Sequence, residues 1–194
     1  MKQEVWSIVE SRLRIAEDAI SAMRIAPTFN ELADKWFVYL FSWKGIFTAF
    51  ESAVELPAER TWWDGVKKER RKEPLLHFLY EARNSEEHGL IKSAEHAAFT
   101  GLYEVTPGRR VEIGAHGHPI DSETKLPLKL LMSQGPGAVL SIVRDRKGRE
   151  VGPPLQFQGI DFPDFGPIPP AEAALNWISK QVQEAQRQFH LPKK

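Results

Sequence analysis

The chain has 194 residues and a mass of 22.1 kDa, which suits one domain or one domain with an appendage. Hydrophobic residues make up 42% and charged residues 27%, which excludes disordered, collagen-like and low-complexity classes. Twenty-six basic side chains balance 26 acidic ones and cysteine is absent, so any nucleic-acid role must rest on a local basic patch, and disulfides, thiolate metal sites and cysteine nucleophiles are excluded.

From Val5 onward, Val5, Ile8, Val9, Leu13, Ile15, Ala16, Ile20 and Met23 recur at three- and four-residue steps with charges between them. This predicts an amphipathic helix ending near Pro27. Thr28 or Asn30 can cap the next helix, with Glu31 and Asp34 in its first turns. That helix carries Trp36, Phe37, Tyr39, Leu40, Phe41, Trp43, Ile46, Phe47 and Phe50, apolar well beyond one stripe, so it is expected to bury one face in the core and another against a second subunit. The most apolar stretch, Trp36 to Phe50, spans 15 residues and contains Lys44, short of the roughly 20 apolar residues of a membrane span. The amino-terminal charges do not form a secretory apolar region, and a cytoplasmic protein without membrane association is expected.

Pro57 breaks the second helix, and a third is predicted around Ala58 to Val66. After the charged run Lys67 to Glu73 and Pro74, the residues Leu75, Leu76, Phe78, Leu79 and Ala82 predict a fourth helix stopping near Gly89, with a short helix from Leu90 to Ala98 after it. The pattern then changes. Strands are expected over Leu102 to Val105, Arg110 to Ile113, Ala138 to Val143 and Val151 to Phe157, with a hairpin turn at Asp145-Arg146-Lys147-Gly148. Residues 159–170, rich in proline, predict an extended linker, and Ala171 to Phe189 a closing amphipathic helix with Ala174, Trp177, Ile178 and Val182 on one side. The expected fold is mainly α: a bundle of four to five helices over residues 1–99, a small antiparallel β insert over 100–158, and a carboxy-terminal helix packing back.

The chemistry centres on Arg83-Asn84-Ser85-Glu86-Glu87-His88, at the end of a helix. A histidine titrates near neutrality and can act as acid or base, while an arginine holds two phosphate oxygens and stays charged. Asn84 and His88 stand four apart and share a helical face, but Arg83 is five from His88, about 140° round a regular helix, so bringing them together requires unwinding near Gly89. An arginine followed closely by Asn and, after four residues, by His resembles the signature of the HEPN superfamily of helical ribonucleases and RNA-binding domains. A looser form of the pattern also fits Arg70 and Arg71 with His77, and Arg109 and Arg110 with His116.

The resemblance covers roughly residues 1–99. It implies a metal-independent endoribonuclease acting by 2′-hydroxyl attack to leave a cyclic phosphate. Arg83 would hold the phosphate, His88 would serve as acid or base, and Asn84 and Glu87 would orient them. It also implies a homodimer that brings two motifs to one cleft, and a toxin or defence effector with an antitoxin or other protein partner. The basic run Lys67, Lys68, Arg70, Arg71 and Lys72 is a candidate RNA-binding strip. The alternative is a helical dimer that binds RNA or protein without cutting. In a purely structural role, Arg83 pairs with Glu86 or Glu87, and His88 closes the helix end. No cofactor and no metal are expected. His116-Gly117-His118 offers two imidazoles but no third ligand at a usual spacing.

Overall fold

A computed structural model describes residues 3–87, 92–96, 101–104, 109–113, 119–126, 128–133, 137–163 and 166–189. Its described elements are five helices and ten short strands: α1 (Gln3–Ile25), α2 (Phe29–Ala53), α3 (Pro57–Lys72), α4 (Pro74–Glu87), β1 (Ala94–His96), β2 (Gly101–Glu104), β3 (Val111–Ile113), β4 (Pro119–Asp121), β5 (Lys129–Ser133), β6 (Ala138–Leu140), β7 (Val143–Arg144), β8 (Glu150–Val151), β9 (Gln156–Phe157), β10 (Ile160–Asp161) and α5 (Ile168–Phe189). The fold is mainly α, with small antiparallel strand pairs and a carboxy-terminal helix.

Local chemistry sets the helix boundaries. Thr28 caps α2, its Oγ1 accepting from the Glu31 N–H at 3.3 Å and donating to the Glu31 carboxylate at 3.2 Å. Pro57 and Pro74 open α3 and α4, where a missing N–H leaves no bond unmade. The Glu59 carboxylate accepts from the N–H groups of Glu55 and Leu56 at 3.0 and 3.1 Å, holding the turn before α3.

α1 packs along α2, with Trp6 meeting Phe50 edge to face at 5.8 Å. α5 closes the bundle: Trp177, Ile178, Val182 and Ala185 are buried, and Trp177 stacks near Phe47 at 6.3 Å and donates its Nε1–H to Glu69 at 2.8 Å. The Tyr39 hydroxyl, fully buried, donates to the Ala171 carbonyl at 2.9 Å and ties α2 to the start of α5; burial raises its pKa well above the usual value. One hydrophobic cluster takes in the helices together with Ala94, Leu140, Val143 and Phe157.

Several boundaries depart from the sequence expectations. α3 runs to Lys72, so the basic run is helical throughout and ends only where Pro74 starts a new helix. Residues 94–96, expected within a helix, form β1, paired with β6 by Ala94↔Leu140, Glu95↔Val139 and His96↔Ala138. A long-range partner decided this, because Ala94 fits the core and the Ser141 N–H reaches the Ser93 carbonyl at 2.9 Å. The stretch from Ala138 to Val143 divides between β6 and β7, which serve different partners, and Val151 to Phe157 likewise divides between β8 and β9. The β7–β8 hairpin is present at the expected turn: Gly148 takes φ 76°, and Asp145 accepts from the N–H groups of Lys147 and Arg149 at 2.8 and 2.9 Å. Where the expected linker begins, Gln158 and Gly159 both have positive φ, 50° and 81°, making a two-residue turn that pairs β9 with β10. α5 begins at Ile168, before Ala171, because Pro169 and Pro170 lie in its first turn, which tolerates them.

Candidate functional site

Of the motif residues, Arg83, Asn84 and Glu87 lie on α4. His88 and Gly89 lie outside the described residues, as do His116, Gly117 and His118. Arg83 is 8% exposed. Its guanidinium lies on the Phe41 ring at 4.7 Å and forms a two-point ion pair with Glu87 one turn on, with Nη2 to Oε1 at 2.6 Å. Its Nε has no hydrogen-bond partner among the described residues. Burial lowers its pKa from the ordinary value, though a guanidinium remains charged.

Asn84 does not share this environment. It is buried, and its amide donates to the Glu81 carboxylate at 3.4 Å. Glu86 turns elsewhere: one carboxylate oxygen accepts from the Ser93 N–H and hydroxyl at 2.6 and 2.7 Å, and the same hydroxyl accepts from Trp36 Nε1 at 2.9 Å. This network clamps the chain that follows the motif onto α2 and α4. Arg83 therefore pairs with Glu87, not Glu86.

Arg83 opens onto a cavity of about 350 Å³ lined also by Ile8 and Arg12 of α1 and by Phe41, Lys44, Gly45, Thr48, Ala49 and Ser52 of α2. A Cβ at Gly45 would stand 3.0 Å from Arg12 Cδ and Nε, so a side chain there would shift the exposed arginine by a few tenths of an ångström. A second cavity of about 350 Å³ is lined by Arg70, Arg71, His77, Tyr80 and Glu81. Arg70 is held over both Phe47 and Tyr80, at 4.8 and 4.5 Å, and Lys44 reaches the same Tyr80 ring at 5.8 Å. Tyr80 and Lys44 thus join the two cavities.

The electrostatics follow from this crowding. The Lys44 pKa is lowered, first by burial and then by the charges of Arg83, Arg146 and Arg70, with Glu81 opposing. Arg146 belongs to the β7–β8 turn, so the β region adds a cation to this face. Burial also lowers the Arg70 pKa.

The basic run Lys67 to Lys72 is divided by helical geometry. Lys67 pairs with Glu51 and Asp64 at 3.2 and 3.1 Å. Lys68 and Lys72 line a separate depression together with the carboxylates Glu69 and Glu73. Only Arg70 and Arg71 face the cationic cavity.

Sequence reasoning passed over Arg12, Lys44 and Arg146. A lone lysine beside a mid-helix glycine in the most apolar stretch was the available signal. The looser Arg-to-His pattern pairing Arg70 and Arg71 with His77 does correspond to side chains lining one cavity. Among the described residues no helix is long and apolar enough to cross a membrane. Comparison of the chain with protein-family models, with curated proteins and with solved structures gave no match.

Proposed function

We propose that this protein acts on RNA in the manner the HEPN resemblance implies, as a metal-independent endoribonuclease using 2′-hydroxyl attack. The observation that carries this reading is the placement of Arg83. The motif arginine, paired with Glu87, lines an open cavity beside two further cations, Arg12 and Lys44, with no carboxylate among the described residues lining it. Such a site attracts a phosphodiester and stabilises charge as a pentacoordinate phosphorus forms. In this scheme Arg83 holds phosphate, and His88 takes the proton from the 2′-oxygen or gives one to the leaving 5′-oxygen. Asn84 braces Glu81 behind the site. Glu87 holds the Arg83 guanidinium flat until substrate arrives.

A homodimer belongs to this reading, because one histidine serves only one of the two proton transfers in a single step. Its candidate face is the outward side of α2, where Phe37, Val38 and Phe41 are 40, 38 and 40% exposed. A toxin or defence setting, with an antitoxin or other protein partner, is the context the resemblance suggests.

The second reading, an RNA- or protein-binding module that does not cut, is favoured by one observation. Glu87 occupies both outer nitrogens of Arg83, so a phosphate must displace it before catalysis. Incubation of the purified chain with single-stranded RNA in the presence of EDTA separates the two. Cleavage leaving 2′,3′-cyclic phosphate ends, lost in His88→Ala and in Arg83→Lys, supports the nuclease. Binding without cleavage on any RNA supports the second reading and removes the first.

A further inference from the structure

Cations outnumber carboxylates among the described residues that line the two cavities, even with Arg83 paired to Glu87. Arg12, Lys44 and Arg83 line one, and Arg70, Arg71 and His77 line the other, with Glu81 the carboxylate among their lining residues. Tyr80 and Lys44 connect them. We propose that the two cavities form one track for the backbone of single-stranded RNA, one phosphate resting among Arg12, Lys44 and Arg83 and a neighbouring one among Arg70, Arg71 and His77. The proposal rests on the reading that RNA is the substrate, and it assigns the strandedness and the path.

Three features favour this path. The donors are set in concave sites, each with an aromatic wall, Phe41 in one and Tyr80 in the other. Concave sites with aromatic walls suit an unstacked strand whose bases can turn inward, whereas a duplex presents a continuous convex backbone. Arg70 is already fixed by its two rings, so little side-chain freedom is lost when an anion arrives. Lys44 is held among like charges and is partly buried, and a bound phosphate relieves both penalties. In the first cavity the phosphate takes the place of the Glu87 carboxylate on Arg83, exchanging one two-point anion for another. The track also runs away from Lys68 and Lys72, whose depression already contains Glu69 and Glu73.

Fluorescence anisotropy with a labelled 2′-O-methyl oligoribonucleotide tests this on the intact chain, since that strand lacks the attacking hydroxyl and stays whole. Arg12 and Arg71 are exposed, so Arg12→Glu and Arg71→Glu are expected to keep the wild-type melting curve. Each is expected to weaken binding about ten-fold at low salt and to reduce the slope of log affinity against log salt by about 0.7 or more. Lys68→Glu is expected to change affinity less than about two-fold, as a surface charge outside the track. Should a reversal disturb folding, Arg12→Gln and Arg71→Gln give the same comparison with smaller losses. The track is overturned if both Arg variants bind like wild type, if Lys68→Glu causes the larger loss, or if wild-type protein does not bind the strand at low salt. Equal affinity for a duplex of the same sequence overturns the single-strand assignment. If unmodified RNA is cut normally by both Arg variants, the track fails and the nuclease reading stands. If binding is lost as expected but no RNA is cut, the track stands and the nuclease reading fails.

Discussion

Two grooves of similar size flank α1, and they handle charge in opposite ways. The groove between α1 and α5, about 390 Å³, is lined by Glu17, Arg24, Glu172, Asn176 and Ser179 among others. There Arg24 is paired with Glu172, and farther along Gln186 donates to Glu10 at 3.3 Å. The groove between α1 and α2 places Arg12, Lys44 and Arg83 together with no carboxylate among the described residues of its lining. A chain of zero net charge therefore contains one groove whose arginine is paired with a carboxylate and one where Arg12 and Lys44 gather beside the Glu87-paired Arg83. Matched exposed pairs contribute little and attract nothing, whereas an unmatched cluster costs stability and attracts anions.

If the cationic groove is catalytic, His88→Ala is expected to reduce RNA cleavage by about 10²–10⁴-fold, the usual worth of acid–base catalysis. Initial rates on single-stranded RNA measure it, and activity that survives substitution removes the site.

Next comes the structural side. Trp177 is 4% exposed and reaches both Phe47 and Glu69, so Trp177→Ala is expected to cost about 3–5 kcal/mol in denaturant unfolding. The folded fraction of that variant is expected to bind RNA as wild type does, because α5 contributes no residue to the cationic cavities.

Glu87→Gln sharpens the contrast from the other direction. Removing the carboxylate that neutralises Arg83 adds one uncompensated charge to the groove, and RNA affinity at low salt is expected to rise a few-fold, with a slope steeper by about 0.7. Unchanged affinity in titrations would show that Arg83 does not meet the strand.

Lys44→Met is expected to stabilise the fold slightly, since solvent screening leaves only part of the penalty on a partly exposed lysine, while weakening RNA binding, a stability–function exchange typical of binding sites. The sign follows from the lowered pKa. The folded state releases the Lys44 proton more readily than the unfolded chain, so the protonated lysine is a full burden at neutral pH. The burden is relieved as pH rises from the folded pKa toward the unfolded value near about 10.4. The advantage of Lys44→Met over wild type should therefore shrink in alkaline melts, and a constant difference would contradict it. The smallest effect is expected on the matched side, where Arg24→Ala should cost less than about 1 kcal/mol and leave RNA binding unchanged.

Much of the helical frame was legible because its signals are local. The three- and four-residue spacing of α1, the Thr28–Glu31 cap, the opening prolines of α3 and α4, and the Asp145–Gly148 turn each act within a few residues. The strand at 94–96 was not legible, since its identity depends on pairing with residues 138–140, more than 40 positions away. The β9–β10 turn was hidden by a proline-rich context and by Gln158, an unusual residue at positive φ. At the candidate site, the Arg83–Glu87 pair was readable from i,i+4 spacing. The roles of Asn84 and Arg70 were not, because burial against Glu81, Phe47 and Tyr80 decides which way those side chains face.

Periodicity, capping and composition need no distant partner, so the cores of α1 to α5, the lack of cysteine chemistry and the Arg83–His88 spacing are written in the chain. Tertiary structure decided where the charge accumulates. Arg12 of α1 and Arg83 of α4 meet only because both helices line one cavity against α2, and Lys44 joins Arg70 only through Tyr80 of α4. The basic run that looked uniform in sequence is split because helical rotation turns Lys68 and Lys72 toward carboxylates and Arg70 and Arg71 toward the groove. Charge order along a chain fixes the total; only packing of one helix against another fixes the field.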